Sequence, residues 1–238
     1  MPAPGYADQY NMNSRDNLMS ARFTLNMERI HGLVKLICSD IALLKPTGLW
    51  RSEGQRADIL RAIVVFLHAT FEDVLRSRSG PKEKKLTFYS GADINKALQQ
   101  WRLDPTPFKS LYPPLTQMAK RRKRIVHEAD LSKKTDTASE AWTIADDWQL
   151  SMWMSAVLAF YFLLRATIDH DDEVARVAYE KLREAMDRVV NFGNQPVALA
   201  DTPPELRMEA LQKILQTLDS VSAALLVVQK HLRRSELG

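Results

Sequence analysis

Residues 119–130 read Ala-Lys-Arg-Arg-Lys-Arg-Ile-Val-His-Glu-Ala-Asp. Five cations, Lys120, Arg121, Arg122, Lys123 and Arg124, stand in a row; two β-branched residues follow, and then His127. A packed core needs none of these charges. Clustered arginines neutralise a phosphodiester backbone and grip phosphate oxygens with a planar, always-charged fork. A histidine, with an ordinary pKa of ~6.5, can take or give a proton near neutrality. Together they suffice for RNA cleavage without a metal. One group removes the proton of the ribose 2′-hydroxyl, that oxygen attacks the adjacent phosphorus, and an arginine stabilises the charge that builds there. Only RNA carries that internal nucleophile. A plainer account competes with this one. Cations in the last turns of a helix complement its dipole with no ligand at all, and Arg124 and Glu128, four apart, can form an ordinary surface pair.

The other chemistry-bearing residues are sparse. His68 and Glu72 are four apart on one helical face; they read first as a local pair and second as supporting residues for a site. The five histidines, at 31, 68, 127, 170 and 231, show no metal-ligand spacing, so no metal is expected. The chain has eight glycines, none in a phosphate-cradling loop, and no serine or cysteine stands out as a nucleophile. No cofactor is expected. Trp142, Trp148 and Trp153 read as core.

The elements that position the basic stretch are helical throughout. The 238 residues are 45% hydrophobic, enough for a sizeable core. Net charge is +4, which permits a polyanion partner and does not demand one. The single cysteine, Cys38, sits among apolar residues and fits a reducing compartment. No secretory signal is visible, and the most apolar run, Leu150 to Leu164, falls short of the ~20 residues that span a bilayer. No membrane partner and a cytoplasmic location are expected.

Residues 1–12 read as a flexible leader. A long helix runs from Asn13 or Ser14 to about Lys45, stopped by Pro46. A second runs from Ser52 or Gly54 to about Arg76 on the spacing of Ile59, Ile63, Phe66, Leu67, Thr70, Val74 and Leu75, with Arg61, His68, Glu72 and Asp73 interrupting. Ser90 caps a short helix to Trp101, and Pro114 opens the helix that carries the basic stretch. From about Ala145 a helix apolar almost all round predicts a central position. A further helix spans Glu173 to Val190, and the last has a three-four seam from Leu211 to Leu232 with uncharged flanks. The fold class is all-α: a bundle over 13–170 and a C-terminal helical hairpin over 171–238, packed on the bundle or in a dimer interface.

Arg122-Lys123-Arg124-Ile125-Val126-His127 resembles the RxxxxH motif of HEPN domains (higher eukaryotes and prokaryotes nucleotide-binding), in the form of the bacterial RiboL-PSP-type branch. Phe66-Leu67-His68-Ala69-Thr70-Phe71-Glu72-Asp73-Val74-Leu75-Arg76 is similar to that branch's second helix. The resemblance covers roughly Asn13 to Asp169 and leaves the last two helices as additions. It implies a bundle that forms a homodimer and brings two motifs to one cleft. It further implies a metal-independent endoribonuclease of a toxin–antitoxin or phage-defence system, with an antitoxin or defence-system protein as a further partner. Arg122 would bind and polarise the phosphate, and His127 would act as acid or base or position the ribose. Lys123 fills the polar position after the arginine, and Arg121 and Arg124 would add backbone contacts. Ala129 stands where some family toxins carry a tyrosine that their antitoxins modify, so that mode of neutralisation is not expected. Two other readings stay open: a catalytically silent HEPN module that binds RNA, a nucleotide or a protein, and a helical adaptor whose basic run is only a solvated face.

Overall fold

A computed structural model describes residues 19–34, 53–78, 88–127 and 144–168, with residues 173, 175–180 and 183–184 beyond them. The leader, Cys38, Glu128, Ala129, Trp142 and the final helix with its seam lie outside the described residues. Among the described residues there is no strand, and the fold is all-α as expected. Helix α1 covers residues 19–34, α2 Glu53–Arg78, α3 Gly91–Gln100, α4 Tyr112–His127 and α5 Ile144–Ile168; a 3-10 helix, Thr106–Leu111, leads into α4.

Helix α5 is the centre of the bundle. Every residue from Trp153 to Phe162 is buried, so neighbours cover it on all sides. Helix α1 stacks on it through Phe23 and Tyr161, whose ring centroids are 3.8 Å apart. Phe160 meets Phe71 of α2 edge-on and Phe108 of the 3-10 helix, each at 5.1 Å between centroids. Helix α4 packs against α2, α3 and α5. No helix among the described residues is long and apolar enough to cross a membrane.

The buried stripe of α2 runs Leu60, Ile63, Val64, Leu67, Phe71, Val74 and Leu75. The expected stripe shares Ile63, Leu67, Val74 and Leu75 with this one, and Thr70, also expected there, is buried at 2% exposure; the two differ in phase elsewhere. Phe66, expected inside, is 54% exposed, whereas His68, read as an interruption, is wholly buried. Two overlapping apolar phases were present in the sequence, and packing on α4 and α5 selected one.

Ser90 caps α3 as expected: its hydroxyl accepts from the Asp93 N–H at 3.2 Å. The far end of α3 closes without a glycine. Arg102 takes a left-handed φ of 60°, its N–H donating to the Gln99 carbonyl and that of Leu103 to the Leu98 carbonyl, both at 3.0 Å. Helix α4 starts two residues before the expected Pro114. The 3-10 turn feeds directly into it, and Pro113 and Pro114 fall where helical N–H groups have no carbonyl partner to lose.

Candidate phosphate site between helices α2 and α4

Helix α4 has two faces. Leu115, Met118 and Ala119 are buried, and Arg121, Arg122 and Ile125 continue that inner stripe at the C-terminal end. Pro113, Gln117, Lys120, Lys123, Val126 and His127 form the outer face and are exposed. The five-residue step from Arg122 to His127 turns about 500°, so the two side chains leave a regular helix about 140° apart. No hydrogen bond or ion pair joins them among the described residues. Lys123 and Arg124, four and three residues before His127, are its nearer neighbours on the helix surface.

Arg122 instead faces α2. Its Nη1 donates to the Tyr89 hydroxyl at 3.0 Å. The Tyr89 ring lies over that of His68, with centroids 5.7 Å and planes 20° apart. His68 Nδ1 is 4.0 Å from a Glu72 carboxylate oxygen, beyond hydrogen-bond reach. The other Glu72 oxygen is 3.7 Å from Arg76, and the Arg76 guanidinium lies 5.3 Å from the centre of the Phe88 ring. Arg122, Tyr89, His68, Glu72 and Arg76 thus form one continuous polar cluster at the α2–α4 seam.

Burial first, and then the charges of Arg122 and Arg76, push the His68 imidazole down to a pKa of about 4. At neutral pH the ring is uncharged, so the expected His68–Glu72 pair is a proximity and not an ion pair. Neither ring nitrogen has a hydrogen-bond partner among the described residues.

The residues predicted to contact RNA are therefore spread over two faces. Lys123 and His127 are open to solvent, Arg122 and Arg124 are half-buried, and Arg121 is only 8% exposed. His68 and Glu72 join Arg122; His127 does not. Tyr89 and Arg76 had no functional reading in the sequence. Tyr89 stands 33 positions before Arg122, in a segment without periodicity. Among the described residues no group of three or more His, Cys, Asp or Glu is placed to hold a metal ion. No protein-family model, curated protein or solved structure matches this chain.

Proposed function

We propose that this chain is a metal-independent endoribonuclease of the HEPN type, acting as a homodimer in a toxin or phage-defence system. The observation that carries the reading is the placement of the two motif residues. One helix offers an anchored, half-buried guanidinium at Arg122 and an imidazole open to solvent at His127. A half-buried arginine holds a phosphate more strongly than one on an open surface, because less water screens it. An exposed histidine can reach a ribose. The divergence of the two side chains is answered by the dimer: His127 of one protomer faces Arg122 of the other across a shared cleft. His127 would take the proton of the 2′-hydroxyl or return one to the leaving oxygen, and Arg122 would stabilise the phosphorane charge. Lys123 and Arg124 would line the path of the backbone.

The same divergence favours a second reading. A helical module that presents Lys120 and Lys123 to a polynucleotide, without cutting it, needs no meeting of Arg122 and His127. Incubation of total RNA with the protein in EDTA separates the two. The first reading expects fragmentation by the wild type and none by His127→Ala. The second expects intact RNA that binds, with an affinity that falls steeply as salt is added.

A further inference from the structure

Tyr89 occupies a position that its neighbours hold from both sides. Phe88, just before it, takes a left-handed φ of 50°, unusual for a bulky residue, and buries its ring beneath Arg76. Ser90, just after it, is fixed as the cap of α3. The Tyr89 ring rests on His68, whose side chain is 1% exposed and has both nitrogens unpartnered among the described residues. The hydroxyl at the end of this assembly accepts the one hydrogen bond that the Arg122 side chain makes among the described residues. A guanidinium has five N–H donors in a fixed fork. One is committed to Tyr89, and the others remain for a ligand. A strained turn next to a buried polar ring is a costly way to build a surface contact, and such strain gathers where a side chain must be aimed.

We infer that Tyr89 is a positioning residue. It holds the Arg122 guanidinium at one corner, against the floor made by His68, so that the remaining donors face a phosphate in a set orientation. The inference rests on the ribonuclease reading for its catalytic consequence, but the positioning itself concerns any phosphodiester that Arg122 binds. Tyr89→Phe keeps the ring and its stacking and removes only the hydroxyl. It acts through Arg122, so its effect must vanish when Arg122 is gone.

The test is a double-mutant cycle of wild type, Tyr89→Phe, Arg122→Ala and the pair, read in RNA cleavage in chelator. Tyr89→Phe is expected to lower kcat about tenfold with KM within about threefold. Added to Arg122→Ala it is expected to change nothing further. A Tyr89→Phe enzyme with wild-type kcat, or losses that multiply, would overturn the inference. The same cycle in the affinity for a 2′-deoxy oligonucleotide, which lacks the internal nucleophile, keeps the two readings apart. Coupling in affinity with no cleavage by the wild type defeats the ribonuclease reading and leaves the role of Tyr89 standing. No coupling in either measurement defeats the role of Tyr89, whatever the wild type cleaves.

Discussion

Arg122 and Tyr89, 33 positions apart in the chain, meet at 3.0 Å, and the neutral ring of His68 lies under the tyrosine. The Arg122 side chain is thus held by residues from outside its own helix. Its charge reaches His68 and is one cause of that histidine's low pKa, second to burial.

Arg122→Ala should therefore raise the His68 pKa above about 4 while leaving it below the ordinary 6.5, since burial is the larger cause and Arg76 remains. An NMR titration of the His68 ring protons in the two proteins reads this directly. An unchanged value would mean that the guanidinium does not sit where the Tyr89 contact places it.

Stability should depend on pH through the same group. Between pH 6.5 and about 4 the unfolded chain protonates His68 and the folded chain does not. The unfolded state then binds more protons, so folding stability falls as pH drops through this window and levels off below it. The loss is up to about 3 kcal/mol at about 1.4 kcal/mol per pH unit. Carboxylates titrate nearby, so the measure is the difference from His68→Phe, which should lose that much less across the window in urea melts. Parallel curves for the two proteins would contradict a buried neutral histidine.

The two ends of α3 make opposite predictions for glycine. A Cβ at Gly91 would lie 2.9 Å from Tyr112 Cδ2 and 3.1 Å from Tyr112 Cβ, and the second atom cannot swing aside. Gly91→Ala should destabilise by about 1–3 kcal/mol, as overpacking does. Arg102, with its φ of 60°, closes the other end in a conformation that costs a side-chain-bearing residue about 1 kcal/mol. Arg102→Gly should recover most of that in a thermal melt. A loss on that substitution would show that the arginine side chain matters more than its backbone strain.

The helices were legible because their apolar spacing, caps and prolines are local signals. Ser90, and the near all-round apolarity of the helix expected from about Ala145, placed α3 and the central helix correctly. Phe66 was misplaced because two helical phases overlap in α2, and only the neighbours of a helix decide which one is buried. That Arg122 and His127 share one helix was legible too, including the 140° divergence that follows from helix geometry alone (about 100° per residue). What the sequence could not show was Tyr89. Its partnership with Arg122 is a long-range contact, and no spacing rule reaches across 33 residues. The left-handed turns at Phe88 and Arg102 were equally hidden, because neither is a glycine or an asparagine.

The central claim is that Arg122 and His127 cleave RNA by 2′-hydroxyl attack, and the ends of the products test it most directly. That route breaks the bond to the 5′-oxygen and leaves a 2′,3′-cyclic phosphate and a 5′-hydroxyl. Mass spectrometry of a short RNA incubated with the wild-type protein in EDTA should find those ends, find none with His127→Ala, and find them formed far more slowly with Arg122→Ala. His127 is exposed, so its removal should leave the melting curve essentially unchanged. Intact RNA, or fragments formed equally by His127→Ala, would contradict the claim.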